Sequence, residues 1–166
     1  LASLALEPKA SAFRVAKLLP QLDRALNDEE LLRLAQFPAE AGVGDALKAL
    51  LSNEKSRASV VEKLLAQRTK LDAVQIAPLL SETAKSMLST EPALALQLIG
   101  SFQLTSLEGD LVALARSDGF QPSTMTAGSR HALLSTLRDL RSGEADLFVS
   151  VAQSDPDPLV RDAAIE

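Results

Sequence analysis

The chain has 166 residues, 46% of them hydrophobic and 23% charged, which is enough apolar surface for one compact domain or about four helical repeats and too much for a disordered chain. A net charge of −5 argues against an electrostatic grip on nucleic acid, which needs Lys and Arg clustered along one face, and so against the alternative of a nucleic-acid or membrane adaptor. Five Phe with no Trp or Tyr exclude an aromatic-lined ligand pocket, and the absence of Cys excludes disulfides, thiolate nucleophiles, zinc fingers and covalent c-type haem attachment while leaving the compartment open.

No apolar run approaches the roughly 18 residues of a membrane span, so no membrane insertion is expected. The opening Leu1-Ala2-Ser3-Leu4-Ala5-Leu6 lacks a basic flank and is cut off by Glu7 and Pro8, so it does not read as a signal peptide. The chain starts without Met and stops at Glu166 inside a helical pattern, as a piece of a longer protein would.

Pro8 suits a first helical turn, and Phe13, Ala16 and Leu19 recur at helical spacing until Pro20 stops them. Asn27 or Asp28 caps the next helix, with Glu29 and Glu30 placed where the helix dipole favours negative charge, and Pro38 ends it. After Gly42 and Gly44, the stripe Val43, Ala46, Leu47 and Leu50 runs to Asn53. From Lys55 to Thr69 the spacing sets Val60, Val61, Leu64 and Leu65 on one face, with Arg57, Glu62, Lys63 and Arg68 elsewhere. Asp72 can cap a helix holding Val74, Ile76, Leu79 and Leu80 in which Pro78 marks a kink or a second start, and Ser81 to Leu88 reads as another short segment. Thr90 as cap and Pro92 in the first turn open a nearly all-apolar helix, Ala93 to Phe102, predicted to be buried. Residues 106 to 117 form the next. The Gly, Pro, Ser and Thr between Ser117 and Gly128 predict the longest connection, before a helix from Ser129 to Leu140.

One pattern is written twice near the end. Glu108-Gly109-Asp110-Leu111 recurs as Glu144-Ala145-Asp146-Leu147, an offset of 36 residues, and Leu71-Asp72 lies another 36 before Leu107-Glu108. A period of this size marks units too small to bury their own apolar faces, which must stack on neighbours. No stretch alternates apolar and polar residues as a strand would.

The last unit, Asp155-Pro156-Asp157-Pro158-Leu159-Val160-Arg161-Asp162-Ala163-Ala164-Ile165, resembles the second helix of a HEAT (armadillo-type) repeat. That pattern has an Asp in the turn, then Val-Arg, then a small residue where helices approach closely, and the roles fall on Asp157, Val160, Arg161 and Ala164. Tetratricopeptide repeats have a period of about 34 but lean on Trp and Tyr, and HEAT units usually run about 40–47 residues. The resemblance covers residues 106–166. It implies an all-α fold, a right-handed α-α superhelix (HEAT-like solenoid) of ten to twelve short antiparallel helices. Residues 1–166 would form a single repeat domain, most regular over 70–166. It also implies that the Asp and the Arg hydrogen-bond between neighbouring turns of the stack.

His131 is the only histidine and has no Cys with which to build a metal or nucleophile site, so it reads as a solvated surface residue. The pairs Glu108 with Asp110 and Glu144 with Asp146 open helices, where acids complement the dipole, and their recurrence fits a structural rule better than an active site. Asp155-Pro156-Asp157-Pro158 lacks the Gly and distal Glu of a calcium loop. Residues 106–166 hold ten acidic side chains against five Arg and so carry the whole net charge. Within them Arg130, Arg138 and Arg141, with His131, gather on one helix that has only Asp139 as counter-charge. They are the candidate partner-binding residues; the alternative is that they offset Asp110 and Asp146 of adjacent helices. The resemblance places this helix second in its pair, on the concave side of the stack.

The expected function is a non-catalytic scaffold that binds a protein or another domain of its own chain. No cofactor, metal, nucleic acid or small-molecule ligand is expected. Helical segments of large bacterial dehydrogenase-like proteins, which also carry a β-propeller and a haem domain, are similar and offer an accessory-domain alternative. Some HEAT-like proteins are DNA glycosylases, but those use Trp or Tyr and a basic cleft, both missing here.

Overall fold

A computed structural model describes residues 7–22 and 24–165, and among them the chain forms ten α-helices and no strand. No described helix is long and apolar enough to cross a membrane. The apolar opening 1–6 lies outside the described residues. The chain divides into two compact units, residues 1–79 and 80–166.

The first unit contains α1 (Pro8–Leu18), α2 (Asp28–Gln36), α3 (Val43–Ser52) and α4 (Glu54–Ala66). Helix α2 touches the other three, and its apolar stripe, Leu31, Leu34 and Ala35, meets Ala12, Leu47, Val61 and Leu64 in a core exposed by 1% or less at each of these positions. Each large aliphatic side chain so buried stabilises the fold by about 1.5–3 kcal/mol. Arg57 departs from expectation: it is buried with Val61, Leu64 and Leu65 on the inner stripe of α4, while Val60 is half-buried.

The start of α2 is fixed by a reciprocal capping box. Asn27 Oδ1 accepts from the Glu30 N–H, and Glu30 Oε2 accepts from the Asn27 N–H, both at 2.9 Å. Arg24 then grips the same carboxylate with both Nη atoms, at 2.6 and 2.8 Å. The end of α4 reaches back to this point, with Lys63 Nζ donating to Leu26 O at 2.8 Å and Gln67 Nε2 to Asp28 O at 3.0 Å. Polar side chains thus set the α2–α4 register that the apolar stripe leaves free to slide. At the head of α3, Gly42 adopts φ +78, and a Cβ on Gly44 would stand 2.3 Å from Pro38 O.

Helix α5 (Ala73–Met87) has residues in both units and is capped by Asp72, whose Oδ1 accepts from the Val74 and Gln75 N–H groups. It is one helix rather than two segments, and Pro78 lies inside it, forgoing the bond to Val74 O. The second unit continues with α6 (Pro92–Phe102), α7 (Glu108–Ala115), α8 (Ala127–Asp139), α9 (Ala145–Ser154) and α10 (Pro158–Ile165). Helix α8 touches α6, α7 and α10, and α9 touches α10. Helix α6 buries Ala95, Leu96, Leu98, Ile99 and Phe102, as its composition predicts. Its N-cap is Glu91 rather than Thr90, with no side-chain cap bond, and Pro92 is its first residue. The segment 116–126 is the longest connection in this unit.

Two outcomes follow from these contacts. Gly44→Ala should cost about 1–3 kcal/mol through overpacking, read as a lower urea midpoint at unchanged slope, whereas Gly109→Ala, whose Cβ meets nothing within 4 Å, should be neutral or stabilising. The Arg24 hydrogen bonds, with the Asn27 N–H, lower the Glu30 carboxyl to about 2. A carboxyl depressed on folding contributes stability above its unfolded value, about 4.5, that is lost as pH falls through 2. An NMR titration should find Glu30 ionised at pH 3, and Arg24→Gln should move its midpoint back toward the ordinary range.

Candidate functional site

Helix α8 starts at the Thr126 cap, whose Oγ1 accepts from the Ser129 N–H at 3.2 Å. Arg130, Leu133, Leu134 and Leu137, spaced i, i+3, i+4 and i+7, form its buried face. A cation therefore sits on the apolar stripe: Arg130 is only 2% exposed. It survives there because three of its nitrogens are bonded. Nε and Nη2 donate to the two Asp155 oxygens at 2.9 Å each, and Nη1 donates to Met125 O at 2.7 Å. The guanidinium also stands 6.0 Å from the centroid of the Phe120 ring. Burial alone would raise the Asp155 carboxyl, but hydrogen bonds from Arg130 and the Asp157 N–H, with the charges of Arg130 and Arg161, hold it below the usual carboxylate range.

Arg130 is thereby buried, and the four candidate residues do not share one exposed surface. His131 is exposed. Arg138 is half-buried, with Nη1 donating to Ala163 O at 3.4 Å. Arg141 is exposed, in the left-handed conformation at φ +59. Its N–H bonds Arg138 O at 2.8 Å and the Ser142 N–H bonds Leu137 O at 3.0 Å, the paired cap bonds of a Schellman motif. Arg138, Arg141 and Ser142 line a cavity of about 390 Å³ whose remaining wall is Phe148, Ala163 and Ala164.

The acidic pairs find other cations. Lys85 Nζ holds both oxygens of Asp110 at 2.9 Å, and Arg116 holds Glu144 together with Asp146, the latter at 3.0 Å. Neither Asp110 nor Asp146 is bonded to the three arginines of the candidate cluster. No acid of these pairs makes a side-chain cap bond.

In the final turn Asp155 Oδ1 accepts from the Asp157 N–H and Asp157 Oδ1 from the Leu159 N–H, both at 2.9 Å, so two aspartates in succession fold the turn and start α10. Arg161 Nη1 donates to Asp155 O and Pro156 O at 2.8 and 3.0 Å, within its own turn. Val160 is fully buried. The small residue beside it in the core is Ala163, 2% exposed, whereas Ala164 is half-buried on the cavity wall. Asp155, the partner of Arg130, was legible only as a turn residue. The signal that points to it is the position of Arg130 on the Leu133–Leu137 stripe, which demands a buried acid.

Removing either partner of this pair leaves a buried charge uncompensated, so Arg130→Met or Asp155→Asn should cost about 3–5 kcal/mol. The double change Arg130→Met with Asp155→Leu should recover part of that loss in urea denaturation, and stability should fall in acid as Asp155 protonates below the ordinary carboxylate range. Compared with models of protein families, with curated proteins and with solved structures, the chain finds no match.

Proposed function

We propose that the chain is a non-catalytic helical-repeat scaffold, a HEAT-like α-solenoid, that binds a protein or another domain of its own chain. The observation that carries this reading is the order of contacts in residues 80–166. Helices α6, α8 and α10 touch in succession, while α7 meets α8 and α9 meets α10, as stacked antiparallel pairs do. The sequence period supports it: Leu111 and Leu147, and likewise Ala115 and Val151, are buried 36 residues apart. So do the helix ends, because α6 and α8 both close in the same Schellman motif, with Gln103 and Arg141 in the left-handed position. The second acid of each pair at the head of one first helix is held by a cation at the tail of another, Lys85 of α5 on Asp110 and Arg116 after α7 on Asp146.

Stacked helices expose a continuous surface suited to macromolecules, and on this one the polar edge at the end of α8 carries the exposed Arg141 beside the half-buried Arg138. Peptides selected from a random library on the immobilised protein should bind the wild type in solution. The double change Arg138→Gln with Arg141→Gln should weaken them at least about tenfold, or 1.4 kcal/mol, while the protein still melts cooperatively. Selection of no peptide would remove the scaffold reading, and undiminished binding by the double variant would move the surface elsewhere.

A further inference from the structure

The end of α8 carries features that the fold itself does not require. Arg141 occupies the left-handed cap position at φ +59, where Gly is the default residue and a side chain is strained. Its guanidinium meets no carboxylate within ion-pair distance among the described residues. Ser142, the next residue, has its backbone N–H satisfied by Leu137 O, yet its Oγ is shielded from solvent and has no hydrogen-bond partner. A shielded hydroxyl without a partner is destabilising, and natural folds rarely leave one. Both residues line the same cavity, whose wall is completed by Arg138, already bonded to Ala163 O, and by the apolar Phe148, Ala163 and Ala164.

We propose that this cavity captures the C-terminal residue of a partner polypeptide, its α-carboxylate on Arg141 and Ser142 and its apolar side chain against Phe148, Ala163 and Ala164. The inference rests on the scaffold reading and names the ligand of that surface. A cavity of about 390 Å³ is at the small end of ligand sites, which run from roughly 300 to 1,000 Å³. It has room for one residue that must offer an anion and an apolar group together. An internal Asp or Glu beside an apolar neighbour cannot do this, because adjacent side chains of an extended peptide point to opposite faces. A chain terminus can, since its carboxylate and its side chain leave the same Cα. The α-carboxylate is ionised at neutral pH, and Arg presents the fork of donors that binds a carboxylate through two bonds.

Two displayed libraries test this, one of peptides with free C-termini and one of peptides embedded between flanking sequence. Peptides from the first should end in Leu, Ile, Val, Met or Phe, and their C-terminal amides should bind at least tenfold more weakly in fluorescence anisotropy. Arg141→Gly supplies a stability-safe variant, because Gly suits the left-handed cap; it should keep or raise the melting temperature while weakening the free acid at least tenfold. Ser142→Ala should weaken it several-fold. Equal binding of acid and amide, or full binding by Arg141→Gly, overturns the proposal. Embedded peptides that need Arg141 but no free terminus also overturn it while leaving the scaffold reading standing, and no binding from either library removes both.

Discussion

The second unit depends on one buried ion pair. Arg130 and Asp155 join three segments that share no backbone ladder: the 116–126 connection through Met125 and Phe120, the centre of α8, and the turn between α9 and α10. Desolvating a guanidinium and a carboxylate costs several kcal/mol per ion, and the mutual attraction offsets this only when the remaining donors and acceptors are satisfied. Here Arg130 has three bonds and Asp155 accepts from both Arg130 and the Asp157 N–H. A pair of this kind adds little net stability over an apolar substitute. Its contribution is register: the apolar stripes of α8 and α10 can slide by a turn at modest cost, whereas a displaced Arg130 would be a buried charge with no partner.

The same logic explains how much of this fold was legible in the sequence. Helix ends were, because they are written in local chemistry: Asn27 with Glu30, Asp72, and the prolines at positions 8, 92 and 158 act on backbone within four residues of themselves. The burial of α6 was legible from its composition. What was hidden is charge placed inside. Arg130 and Arg57 lie on apolar stripes, and assigning every cation to solvent sent both outward. Of the two readings of Pro78 the structure has the proline inside one helix, with Ile76 and Leu80 fully buried around it; what was hidden is that this helix continues past Ser81 to Met87. The period also loses register upstream: Ile76 and Leu80 precede Leu111 and Ala115 by 35 residues, not 36, so the buried positions of α5 shift by one against the Leu71-Asp72 match.

The candidate site was legible as a helix but not as a set of side chains, for a geometric reason. Residues 130 and 141 are eleven apart, three turns of α-helix, and would share a face if α8 ran through both. It stops at Asp139, and the left-handed Arg141 turns the chain away. Arg130 then follows the core and Arg141 follows the cap, a divergence set by one backbone angle that residue spacing does not encode.

From residue 106 onward the chain has five arginines against ten acids, so cations are the scarce resource of this half. Arg116 is committed to Glu144 and Asp146, Arg130 to Asp155, Arg161 to the carbonyls of its own turn, and Arg138 reaches Ala163 O. Arg141 alone has no such commitment among the described residues, although unbonded acids such as Asp139 and Asp162 lie on neighbouring stretches of the chain. Long-range attraction in an acidic surface costs nothing in geometry, but an ordered bond requires a carboxylate within reach of a side chain anchored in the left-handed cap. Because that cap fixes where the side chain starts while solvent leaves its end unconstrained, Arg141 is held in place without being satisfied, which is the condition under which a surface residue has binding energy left to give.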